Sequence, residues 1–213
     1  MTDFWKLLFA WTLLSAGKGW SDSPAEFTVM AYNVENLFDV DRVSPYDDYI
    51  ETPGDLNSYG PSKLARKLKT IATVLKSVGE GKGPDVVILN ELELDHTAES
   101  TVPDISEFLK KYSETTYEKM LSSELNDELR GLPAEIWLLK ALEDEGLKGY
   151  TIVVGETPAA GDKHQDAITN GLLTRFPIVS KKTWETASAR GILETKLQVG
   201  DATFTVMGNH WKS

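Results

Sequence analysis

Pro84-Asp85-Val86-Val87-Ile88-Leu89-Asn90-Glu91-Leu92-Glu93 is the stretch on which the fold turns. It holds a continuous apolar run with three β-branched residues, bounded by Gly81-Lys82-Gly83 before it and carboxylates at its end, and this pattern predicts a strand buried on both faces. Open α/β sheets place their chemistry at the carboxyl ends of central strands, so Glu91 is a candidate functional residue. If the strand continues without interruption, Glu93 shares its side. A metal ion would suit such a carboxylate.

Upstream, Pro61 opens a helix in which Leu64, Leu68, Ile71, Leu75 and Val78 recur at helical spacing. Lys63, Arg66, Lys67, Lys69 and Lys76 occupy its other faces, and the helix is expected to pack on the sheet. The Gly79-Glu80-Gly81-Lys82-Gly83 cluster follows a helix and precedes a strand, the reverse of what cradling a phosphate on a helix N-terminus requires, so it reads as a connector. Further back, Phe27 to Asn33 reads as another strand, with Val34 to Asp39 as its carboxyl-end loop and 40–60 as a long loop rich in Asp, Pro, Tyr and Gly.

Downstream of Glu93, residues 96–133 read as an insertion of one or two amphipathic helices, and Ala134 to Glu145 as a helix after Pro133. His96 stands alone, without neighbours at metal-ligand spacing. Tyr150 to Val154 reads as a strand. Ala167 to Ile178 admits two readings, a hairpin around Asn170-Gly171 or one strand with a close backbone contact at Gly171. Gly191–Val199 and Ala202–His210 form a strand pair turning at Gly200-Asp201, with Phe204 and Val206 on one face.

With 213 residues, 41% of them hydrophobic, the chain has material for one substantial core. Its formal net charge of -11 repels polyanions at long range and argues against non-specific nucleic-acid binding, although a local basic pocket or bound cations could still admit a phosphate. The absence of cysteine excludes disulfides, thiolate metal sites and a Cys nucleophile. At the N-terminus, Lys6 precedes the apolar run Leu7–Leu14 and the small residues Ser15, Ala16, Gly17 and Gly19. Residues 1–19 are therefore expected to be a signal peptide, too short in its apolar part to span a bilayer as a mature helix, and the protein to be secreted or periplasmic.

Four separated stretches agree with one pattern. Tyr32–Asp39, Pro84–Glu93, Gly171–Ile178 and Gly208–Ser213, with Arg190-Gly191-Ile192-Leu193 between the last two, together resemble the endonuclease/exonuclease/phosphatase superfamily. The resemblance runs from Phe27 to Ser213 apart from the insertions and favours the single strand around Gly171. It implies an α/β fold, a four-layer sandwich of two mixed β-sheets flanked by helices, that cuts phosphate esters with Mg²⁺ (or Mn²⁺ or Ca²⁺). Carried onto this sequence, it makes Glu91 the principal metal ligand and Asn33 a second polar group at the metal and phosphate. It places Arg190 at a phosphate oxygen and makes His210 one of two family histidines at the scissile phosphate.

Mg²⁺ takes oxygen ligands and keeps several waters, so a carboxylate and an amide suffice as protein contacts. An Arg fork and an imidazole suit a phosphate at neutral pH. Asn90 stands where the family often has Gln. The later family motifs, a Gly-Asp-Phe-Asn-like strand end and a terminal Ser-Asp-His-like segment, do not occur before Ser213, so 20–213 is expected to be an incomplete domain with its C-terminal part missing and with weak activity or none. The expected function is a secreted Mg²⁺-dependent phosphodiesterase or endonuclease acting on nucleic acid, with no stable membrane span. The alternatives are a non-catalytic binding domain of the same fold and a phosphatase or phospholipid-headgroup hydrolase.

Overall fold

A computed structural model describes residues 26–55, 57–97, 102, 104–156, 167–186 and 190–211. The stretch expected to be a signal peptide, 1–19, and the terminal Lys212-Ser213 lie outside the described residues. Among those described, no helix is long and apolar enough to cross a membrane.

Seven strands make two sheets. The first is mixed: β1 (Val29–Leu37) runs parallel to β2 (Val86–Glu93), and β2 pairs antiparallel with β4 (Ile168–Thr174), which pairs antiparallel with β3 (Thr151–Val154). The second contains β5 (Ile178–Trp184), β6 (Ile192–Val199) and β7 (Ala202–Gly208), antiparallel throughout where a mixed sheet was expected. Consecutive strands joined by short connections pair in this way, whereas a parallel pair needs a longer crossover. Between β1 and β2 that crossover is α1 (Pro61–Lys76).

Helices cover the mixed sheet because their apolar rows match its outer face. In α1, Leu64, Leu68, Ile71, Ala72 and Leu75 are buried at three- and four-residue spacing, and α5 (Ala134–Asp144) buries Trp137, Leu138, Ala141 and Leu142 beside them. Three short helices, α2 (Ile105–Lys111), α3 (Tyr117–Met120) and α4 (Asp127–Arg130), occupy the expected insertion, and their Phe108, Met120 and Leu129 join the same core. A second core lies between the sheets, formed by Val86, Leu172, Leu193, Leu197 and Val206. The result is an α/β sandwich in which β2 and its neighbour β4 each have an apolar core on both sides.

Of the stretch Ala167 to Ile178, favoured as a single strand, Ile168–Thr174 form one in which all seven residues are buried, and the strand ends there instead of reaching Ile178. Ile178 opens β5, a strand that the sequence reading did not contain. Gly171 faces Leu89 across the β2–β4 ladder, and a Cβ there would come within 2.9 Å of Leu92 Cδ2 and 3.5 Å of the Val153 carbonyl oxygen. A branched side chain would overpack the strand that carries Glu91. Gly171→Val is expected to cost about 1–3 kcal/mol in urea unfolding, and a value indistinguishable from wild type would show that the contact yields freely.

Candidate functional site at the end of strand β2

In β2, Val87 and Leu89 point into the helix-side core, and the next residue in that core is Leu92, three positions on rather than two. The extra residue is Glu91. Its φ of 64° is left-handed, a conformation uncommon for a residue with a Cβ, and the pairing with β4 shifts between Asn90 and Leu92. On the other flank Asn33 pairs with Asn90 and Leu37 with Leu92, so β1 is displaced on the same rung. There Glu35 and Asn36 are both left-handed, with φ of 56° and 61°. Bulges of this kind bend a strand and re-aim one side chain out of the alternation. Here the re-aimed side chain is the carboxylate singled out in the sequence.

The strand is therefore interrupted between Asn90 and Leu92, and Glu91 and Glu93 meet different partners. Glu91 meets the second sheet: its Oε1 lies 3.5 Å from His210 Nε2, just beyond the end of β7. Arg190 Nη1 lies 2.6 Å from His210 Nδ1. Guanidinium has no acceptor, so Nδ1 must be the unprotonated nitrogen and the ring proton sits on Nε2, toward Glu91. Partial burial, then the Arg190 charge, lower the His210 pKa, opposed by Glu91, so the ring is neutral at neutral pH. Arg190, expected at a phosphate oxygen, contacts the histidine expected at the scissile phosphate.

An amide bridge brings these groups together. Asn90 Nδ2 donates to Asn170 Oδ1 (2.7 Å) and to the Asn209 carbonyl (3.0 Å), and Asn170 Nδ2 donates to the Gly191 carbonyl (2.9 Å). Asn209 and Gly191 are the chain neighbours of His210 and Arg190. The fully buried Asn170 thus pairs with Asn90 in its own sheet and with the Gly191 carbonyl across from it, and these bonds hold Arg190 and His210 against the bulge. Asn33 is exposed on β1, and its Oδ1 accepts the Glu35 N–H (2.7 Å) in a local turn. Lys67, from α1, donates to the Glu35 carbonyl (2.5 Å).

A separate acidic group was not anticipated. Asp39, Asp41 and Asp95 bring carboxylate oxygens within 4.8 Å of one another and could hold a metal ion. Glu93 accepts the Asp39 N–H (2.6 Å), and Asp39 accepts the Asp41 N–H (2.8 Å). Burial, with the neighbouring carboxylates, raises the pKa of both Asp39 and Glu93 well above the carboxylate range. The members come from the ends of β1 and β2, too far apart in sequence for any spacing to reveal them. His96 lies next to Asp95 in the chain and has interactions of its own.

Residues 28–122 match the family model described as Endonuclease/Exonuclease/phosphatase family. Over this N-terminal portion the chain is similar to that superfamily. Members of that superfamily are in general metal-dependent hydrolases, and β1 and β2 both lie inside the match. Among solved structures, an endonuclease/exonuclease/phosphatase family protein from Leptotrichia buccalis C-1013-b is similar at 13% identity and a TM-score of 0.42, with 69% of this chain and 48% of that one covered. The chain thus spans about half the length of that protein. No curated protein matches.

The raised carboxyls have a consequence for stability. The folded protein keeps protons on Asp39 and Glu93 that the unfolded chain releases once pH passes about 4, so their contribution is full at acid pH and is lost as pH rises toward the folded-state values. Glu93→Gln keeps an acceptor for the Asp39 N–H and is neutral without having to hold a proton. Its melting temperature is expected to exceed that of wild type at about pH 8 and to converge with it near pH 5; a lower value at the higher pH would contradict the assignment.

Proposed function

We propose that this chain carries the metal- and phosphate-binding part of a hydrolase of phosphate esters, and that its substrate is a phosphodiester in nucleic acid. The observation that carries the proposal is the convergence of Glu91, His210 and Arg190 from two sheets at one bulge, with Asn33 on the neighbouring strand. The choice of nucleic acid follows the family description alone.

The donors fit a hard cation. Glu91 offers a carboxylate and Asn33 an amide oxygen, the chain has no thiolate, and His210 Nδ1 is occupied by Arg190, so Mg²⁺ suits the set, and Mn²⁺ or Ca²⁺ can replace it. When bound, the ion would supply positive charge to the phosphoryl and leaving oxygens. It would also offset locally the repulsion that a net charge of -11 exerts on a polyanion.

His210 presents Nε2–H on the Glu91 side and can donate a hydrogen bond to a phosphate oxygen. It cannot also serve as base, because its lone pair is taken by Arg190. General base catalysis is typically worth about 10²–10⁴ in rate, so metal-dependent turnover by residues 1–213 is expected to be slow.

The test is cleavage of plasmid DNA, RNA and bis(p-nitrophenyl) phosphate by the purified chain with and without Mg²⁺. Slow, Mg²⁺-dependent turnover that falls about 10²-fold in Glu91→Gln is expected. Turnover that ignores both the metal and Glu91 would overturn the proposal.

Export is proposed as well, on the apolar run Leu7–Leu14 and the small residues after it. Mass spectrometry of the exported protein is expected to find a new N-terminus near Lys18 or Trp20. A cytosolic product that retains Met1 would refute export.

A further inference from the structure

The basic residues of α1 look interchangeable in sequence, and most act as surface cations. Lys69 pairs with the Glu145 carboxylate, Lys76 reaches the Glu145 carbonyl and Lys63 the Asn57 carbonyl. Lys67 differs. It is half-buried, and its Nζ donates to the carbonyl of Glu35 in β1 (2.5 Å). It also lies within electrostatic reach of the Glu35 and Glu91 carboxylates.

The position of that carbonyl matters. Glu35 and Asn36 are consecutive left-handed residues without a glycine, and such backbone costs of order 1–3 kcal/mol per residue unless neighbouring groups fix it. Two contacts fix Glu35: its N–H goes to Asn33 Oδ1 (2.7 Å) and its carbonyl accepts from Lys67. The second reaches across from the helix to the rung where β1 and β2 both break register.

We infer that Lys67 is a positioning residue that holds the left-handed end of β1, and through it Asn33, in place beside the Glu91 carboxylate; this inference rests on the metal site proposed above. Lys67 touches neither the metal nor the phosphate in this role. A cation near Glu91 that did nothing else would repel a divalent ion, and its removal would tighten metal binding. A positioning residue has the opposite sign, because losing it frees the Asn33 amide and the bulge and weakens binding.

The experiment compares wild type, Lys67→Met and Lys67→Arg by Mn²⁺ titration and by amide hydrogen exchange of the metal-free proteins. Lys67→Met is expected to weaken Mn²⁺ binding by about 10- to 100-fold, the range for groups that orient metal ligands. Lys67→Arg keeps charge and donor and is expected to restore binding to within about threefold. In the metal-free proteins, exchange at Glu35 and Asn36 is expected to accelerate about fivefold or more in Lys67→Met and to stay near wild type in Lys67→Arg. Tighter or unchanged Mn²⁺ binding in Lys67→Met would overturn the inference, as would unchanged exchange. Failure of wild type to bind Mn²⁺ would overturn the proposed metal site instead, and the exchange rates alone would then decide the role of Lys67. Should Lys67→Met not fold, Lys67→Gln, too short to reach the Glu35 carbonyl, carries the same expectations.

Discussion

One extra residue in β2 sets the geometry of the whole site. A strand that alternated without interruption past Asn90 would send Glu91 into the helix-side core, where Val87, Leu89 and Leu92 now lie, and an unpaired carboxylate there would carry a large desolvation cost. The left-handed turn at Glu91 removes that conflict and returns Leu92 to the core. It requires matching displacements in both neighbours, seen as the register shifts against β1 and β4. Strain of this kind persists only where its surroundings over-determine it.

Those surroundings include the amide bridge between the sheets. Asn90 and Asn170 sit beside the apolar inter-sheet core, bonded to each other and to the Asn209 and Gly191 carbonyls. An amide in such a place is costly if unpaired and specific if paired, since it accepts only the sheet-to-sheet register that satisfies it. That register puts His210 over Glu91 and Arg190 on His210. Packing at the far end is less directional: Phe27 stacks on Phe204 with ring centroids 4.9 Å apart and meets Phe176 edge-on at 5.5 Å.

Much of this was legible from the chain. The β2 run, the 3–4 spacing of α1 and the turn at Gly200-Asp201 carry strong local signals, and Glu91, His210 and Arg190 fall together as separately singled-out residues. What escaped notice did so for physical reasons. β5 is an edge strand reading Ile-Val-Ser-Lys-Lys-Thr-Trp in which every residue but the half-buried Ile178 and Thr183 is exposed, so it lacks the alternation that marks a half-buried strand. The bulge hides because its left-handed residue is a glutamate, and the usual glycine signal is absent. The Arg190–His210 contact joins residues on separate segments. The Asp39, Asp41, Asp95 and Glu93 group is assembled only when β1 and β2 end side by side. Lys67 has the same composition signal as the solvated lysines around it, and only the fold separates it from them.

Two oxygen-rich groups in one molecule make the location of the metal the decisive question. Crystals soaked in MnCl₂, measured at the manganese edge, locate the ion directly through its anomalous scattering. A peak at coordination distance from a Glu91 carboxylate oxygen, on the side facing Asn33 and His210, is the expected result. Density confined to Asp39, Asp41 and Asp95, with none at Glu91, would contradict the assignment of the β2 bulge as the metal site.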